Sequence, residues 1–332
     1  MNKIMQENQK PNQEEKLDRE VLEREAALFA KSNEVEEVRI EEAPKSLGKA
    51  QVIQDREADS ELLAGDIGWK NVPLESLPSL GMFYPEGAQI AIRAASVAEI
   101  RHWSTIDEDD LLGIDDMLNF IIEKCCRFKV PGRPVTYKDL KEIDRFYLIF
   151  AVRDFTFKNG ENKLNVTVTN NDGVSEKIEV TKDVIDYFNA DERLLNYYNE
   201  EKKCFSLRLK SGEEFDLHLP SLGVMMFIKS YVNGKRQSRQ NIDKAFMKYA
   251  PFLFPEWRTL TTASYEKALQ DSIDWSLQKI SVLDKIVEIL SSSVDPKIKY
   301  IDSSGEEATA ELKFPGGFKS IFLISDIFGE LV

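Results

Sequence analysis

The stretch Asn71-Val-Pro-Leu-Glu-Ser-Leu-Pro-Ser-Leu-Gly-Met-Phe-Tyr-Pro-Glu-Gly-Ala-Gln-Ile-Ala-Ile-Arg93 is where a charged tail gives way to a folded body. Pro73, Pro78 and Pro85 restrict φ and push the residue before each toward extended conformations, and Gly81 and Gly87 supply the positive φ that tight turns need. No helix can run through it. Leu77, Leu80, Met82, Phe83 and Tyr84 sit between these breakers and are too apolar for water, and Ile90 and Ile92 then alternate as a short strand does. The segment reads as an extended arm pinned by a Gly-Met-Phe-Tyr-Pro knuckle.

On its N-terminal side, residues 1–68 are rich in Glu, Gln, Lys and Asn and poor in aromatics. Such a composition buries too little apolar surface to offset the entropy of ordering, so an acidic tail, disordered when free, is expected. Leu17, Val21, Leu22, Leu28 and Phe29 recur there at helical spacing. This stripe suits a short amphipathic helix that docks on a partner, and equally a marginal helix with none, since short isolated helices are unstable in water.

On the C-terminal side the periodicity is helical over residues 96–128, with Ser104 and Thr105 as caps for a helix from Ile106. The acid run Asp107 to Asp110 fails the calcium-loop template, because Leu111 occupies a ligand position and Gly113 falls one residue late. It reads as a solvated helix start. Cys125 and Cys126 fall among Ile121, Ile122 and Phe120 and read as small core hydrophobes. Residues 137–152 resume a helix, and residues 155–180 change to period two around Asn159-Gly160 and Asn170 to Gly173. Residues 183–201 read as helix with a break near Asn189, 204–219 as a hairpin, and 264–291 as one long amphipathic helix; residues 297–314 form a last hairpin.

The net charge of −14 argues against sequence-independent nucleic-acid binding, which needs clustered cations. Lys235, Arg236 and Arg239 form the one basic cluster, an interhelical loop or a contact for an anionic partner. The apolar run at 321–328 falls short of the about 20 residues that span a bilayer. Three cysteines, two of them adjacent, make no disulfide framework and suit a reducing cytosol. No phosphate-cradling loop, nucleophile elbow or His pair at helical spacing is present, so no catalysis, cofactor or small-molecule substrate is expected. His218 alternates against Phe215, Leu217 and Leu219 and is placed on the hairpin surface; with His102 remote, no metal site is expected.

The knuckle Pro78 to Pro85, followed by Ile90-Ala91-Ile92-Arg93 and a helix starting near Ala98-Glu99, resembles the baseplate hub and assembly proteins of T-even-like contractile-tailed phages. A second stretch, Asp144 to Thr156, is similar to the same family, and the resemblance extends more weakly over residues 69–332. It implies a structural or assembly component of the baseplate hub, whose partners are other tail proteins. Its place would be the host cytoplasm during assembly, and the virion tail if it is retained. In such relatives the hairpin tips often carry paired cysteines in a zinc-ribbon-like arrangement. Here Asn170 to Gly173 and Asp302 to Ser304 stand in their place, so metal-free hairpins are expected.

The resulting expectation is an α+β fold, mainly helical, with small antiparallel hairpins between helices. The segments are an acidic tail (1–68), an arm and helical domain (69–155), a hairpin region (156–219) and a C-terminal helical domain (220–332). Partner contacts are placed on the tail stripe, on Met82, Phe83 and Tyr84, and on Phe318, Ile321, Phe322 and Phe328. The alternatives are a tail-assembly chaperone absent from the mature virion and a nucleic-acid-binding regulator using Lys235 to Arg239.

Overall fold

The computed structural model describes residues 68–157, 164–169, 175–188, 192–294, 296–302, 305–314 and 317–322, all within one compact unit, Glu57–Val332. The tail stripe and Phe328 lie outside the described residues. The fold is α+β, with helices and four small antiparallel sheets. No helix among the described residues is long and apolar enough to cross a membrane.

The first sheet has β2 (Gln89–Arg93) between β1 (Trp69–Val72) and β3 (Cys126–Lys129), with Val72 opposite Ile90 and Ile92 opposite Cys126. Ile90, Ala91 and Ile92 are all buried, as a central strand covered on both faces requires. The knuckle joins β1 to β2 through consecutive turns in which Leu80 and Gly81 both take positive φ, 53° and 74°. A Cβ on Gly81 would also stand 2.9 Å from that of Leu74, so the position excludes a side chain twice over.

Helix α1 (Val97–Trp103) begins with a capping box between Ser96 and Glu99. The Glu99 carboxylate is also gripped by both terminal nitrogens of Arg93, at 2.5 and 2.9 Å, which holds its pKa down to about 2. This pair ties the end of β2 to the first turn of α1. Helix α2 (Leu111–Cys125) starts later than expected, because Asp110 caps it by accepting from the Leu112 N–H, while Ser104 ends α1. Helix α3 (Arg145–Thr156) packs against β2 and keeps Phe155 helical, where a strand had been expected.

Two hairpins follow the predicted pattern: β4 (Asn165–Thr169) with β5 (Ser175–Glu179), and β9 (Lys297–Ile301) with β10 (Glu307–Glu311). The fourth sheet orders β6 (Tyr198–Asn199), β7 (Cys204–Arg208) and β8 (Glu214–Leu217). Ahead of the break expected near Asn189, no α-helix forms over residues 183–188. Residues 185–188 are not helical, held by a bridge from Ile185 to Ile298 and by the Phe188 N–H donating to the Pro78 carbonyl at 2.7 Å, and among the described residues of this stretch α-helix is confined to α4 (Glu192–Leu195). Tertiary pairing there outweighs helical periodicity.

Helix α5 (Leu222–Gln237) runs straight through Gly234, so Lys235 and Arg236 lie on its last turn and not in a loop. Helix α6 (Lys244–Leu253) contains Pro251. The expected long helix is two, α7 (Thr262–Ser272) and α8 (Leu277–Val294). Their apolar faces serve different cores: Tyr265 packs with Val224, Phe246 and Leu260, whereas Leu283, Val287 and Leu290 pack with Phe83, Phe205 and Leu217. The turn between them leaves Ile273 and Leu277 67% and 83% exposed.

The largest core draws on Ile90, Leu118, Leu148, Val166, Leu222, Ile298 and Phe322, and thus cuts across the three folded segments inferred from composition. Gly223 shows how closely α5 is covered. A Cβ there would lie 2.4 Å from Cγ of Trp257, whose indole N–H is held by Asp139 at 3.1 Å. Gly223→Ala should therefore cost about 2 kcal/mol by overpacking, despite alanine's better helix propensity, as urea denaturation would measure.

Candidate functional site

Asp144 is the point on which the knuckle closes. Its side chain is fully buried; Oδ1 accepts from the Ser79 N–H at 2.8 Å and Oδ2 from the Tyr84 hydroxyl at 2.7 Å. Tyr84 in turn accepts from the Lys141 N–H at 3.0 Å. Burial pushes the Asp144 carboxyl up to about 6 against the pull of these donors, and pushes the Tyr84 phenol well above its usual range.

Beside this closure opens a cleft of about 540 Å³ whose polar lining includes Arg133, Asp139, Lys141, Lys202 and His218. Burial lowers Lys141 to about 8, and its ammonium donates to the Leu219 carbonyl at 3.2 Å. Burial also lowers His218 to about 4, reinforced by the charge of Lys141, so the imidazole is neutral at pH 7.

The β7–β8 register explains what surrounds His218. Phe205 pairs with Leu217 and Ser206 with Asp216, so Phe205, Leu207 and Leu217 turn into the second core, while Cys204, Ser206, Asp216 and His218 share the opposite face. The thiol, one carboxylate oxygen and one ring nitrogen of Cys204, Asp216 and His218 lie within 4.8 Å of one another. Ser206 donates to Asp216 Oδ1 at 2.7 Å and Lys202 to Oδ2 at 2.8 Å. Burial works against the charge on Asp216, but those two donors hold its pKa below the ordinary carboxylate value. Burial and the Asp216 charge raise the Cys204 thiol. His218, read from its alternation as a solitary surface residue, is thus a half-buried member of a cluster.

The residues chosen as partner contacts fall differently. Phe83 and Tyr84 are buried and Met82 is half-buried; Phe83 stands edge-on to Phe188 and Tyr198 with ring centroids 5.3 and 5.5 Å away. The apolarity of Phe83 and Tyr84 closes the knuckle, and Met82 keeps part of its surface exposed. Ile321 and Phe322 are likewise buried and Phe318 half-buried, docked on the chain's own body. Trp103 donates from its indole to the Phe318 carbonyl at 3.0 Å, Arg153 donates to the Ile321 carbonyl at 2.8 Å, and the Glu108 carboxylate accepts from the Phe318 and Lys319 N–H groups. One member of the acid run is therefore a tertiary cap. In the basic cluster, Lys235 is paired with Glu266 at 3.0 Å, and Arg236 and Arg239 are exposed.

No family model, curated protein or solved structure matches the chain.

Proposed function

We propose that this chain is a structural or assembly component of a contractile-tail phage baseplate hub and works through protein–protein contacts, without catalysis. One observation carries the reading. The two stretches that resemble the family, Pro78 to Pro85 and Asp144 to Thr156, are a single physical unit: Ser79 and Tyr84 of the first both donate to Asp144 of the second. A Pro-Ser-x-Gly-x-Phe-Tyr-Pro pattern is what such a closure needs, with a backbone donor, a glycine turn and a phenol aimed at one buried carboxylate. In this reading β4–β5 and β9–β10 are metal-free counterparts of zinc-ribbon-like hairpins on a mainly helical body. With the knuckle closed, contact surface among the described residues falls on exposed apolar side chains such as Leu111, Ile273 and Leu277, with the tail stripe as a further docking element.

A mass-spectrometric inventory of purified particles and tail intermediates tests the reading. A fixed ratio to the tail tube in mature particles is expected of a structural part. Presence in intermediates alone identifies an assembly chaperone, and absence from both rejects a tail role.

A further inference from the structure

We infer that Cys204, Asp216 and His218 form a binding site for a borderline-soft divalent cation, with Zn²⁺ the preferred ion. The site is independent of the baseplate reading and rests on the β7–β8 ladder. Two ligands come from adjacent strands and the third from one residue past β8, at the point where the His218 N–H is fixed by the Phe252 carbonyl at 2.8 Å.

Sulfur, nitrogen and oxygen donors within 4.8 Å of one another can converge on one ion. Zn²⁺ bonds of about 2.0 to 2.3 Å set tetrahedral donors roughly 3.5 Å apart, a contraction of about 1 Å that side-chain rotation supplies while the strands stay paired. A thiolate and an imidazole in one site disfavour Ca²⁺ and Mg²⁺, which take oxygen ligands. The set is three-coordinate from protein and leaves a fourth position for water, so exchangeable binding is expected and not a closed structural centre.

Two neighbours would support a bound cation or give way to it, while the Lys141 charge beside His218 works against it. Ser206 orients Asp216 through its 2.7 Å hydrogen bond and lies 3.9 Å from the Cys204 sulfur, the role of an outer-shell partner. Lys202 supplies a positive charge at Asp216 Oδ2, and its side chain is 56% exposed, free to swing into solvent when a metal replaces it. Binding exchanges one cation for another at Asp216, and the Cys204 proton leaves to solvent as the thiolate takes the metal. The remaining candidates for such ligation stand apart: Cys125 and Cys126 pack in the first core, and His102 lies against Phe120.

The test uses the reduced, chelator-treated full chain titrated with Co²⁺ and then Zn²⁺. The expected result is a thiolate-to-cobalt charge-transfer band that saturates at one equivalent, is displaced by Zn²⁺ and is accompanied by a rise in melting temperature. Cys204→Ser should abolish the band and Cys125→Ser should leave it unchanged. Ser206→Ala should weaken binding about 10-fold, and Lys202→Met should strengthen it. Should Cys204→Ser fail to fold, His218→Gln and Asp216→Asn, each checked by circular dichroism, decide the matter through loss of Co²⁺ affinity. No charge-transfer band in the wild-type chain, or a band that survives both of these substitutions, overturns the site.

Discussion

Asp144→Ala should lower folding stability by about 4 kcal/mol, because it strands two buried donors at roughly 2 kcal/mol each. Those donors are the Ser79 N–H and the Tyr84 hydroxyl, and their acceptor is a carboxylate with no exposed surface. Loss of less than about 1 kcal/mol in urea denaturation would show that water takes over both donors. Asp144→Asn keeps the shape and isolates the charge. The folded-state pKa of about 6 lies above the ordinary 3.8. The native protein therefore binds the proton first, and the resulting stabilisation is complete below pH 3.8 and lost as pH rises through 6. Linkage then gives the wild-type chain about 1.4 kcal/mol more from this group at pH 5 than at pH 8. The deficit of the Asp144→Asn chain should grow by that amount between pH 8 and pH 5. A deficit independent of pH would place the folded pKa near the unfolded one.

Arg145→Ala is expected to cost about 3 to 5 kcal/mol, the range for breaking a buried ion pair from one side. Arg145 is buried at the start of α3, with Asp115 at 2.5 Å on one terminal nitrogen and Glu142 at 2.6 Å on the other. Removing the guanidinium leaves two enclosed carboxylates, with the Lys229 ammonium and the Asn119 amide still beside Asp115. The pairing is not complete even in the intact chain, since Arg145 Nε and Glu142 Oε2 lack partners. Accordingly Arg145→Met combined with Asp115→Asn and Glu142→Gln should recover much of the loss, because neutralising the cation and both of its carboxylates removes the stranded charge. If the triple substitution is as unstable as Arg145→Ala, packing of the long side chain and not charge is what the site needs.

The knuckle and β2 were legible from sequence because prolines, glycines and aromatics act locally there: each restricts its own backbone or demands burial on its own. Residues 183–201 and the α7–α8 turn were not, because the same apolar spacing is satisfied by one helix or by two pieces facing different cores. The buried state of Phe83, Tyr84, Ile321 and Phe322 was hidden for a related reason, since apolarity states that a side chain must be covered but not by what. The cluster around His218 was encoded, though in register and not in spacing. Cys204 and Ser206 on one strand and Asp216 and His218 on the next have matching parity across the Lys210 to Glu213 turn, and only pairing Phe205 with Leu217 brings them face to face.

The latch of residues 317–322 has a consequence for biosynthesis. Trp103, Glu108 and Arg153 receive their partners from a segment 168 to 215 positions downstream. The largest core therefore cannot close before those residues leave the ribosome, and the nascent protein carries an open apolar seam up to that point. Such long-range closure slows folding and lengthens exposure to aggregation or to chaperones.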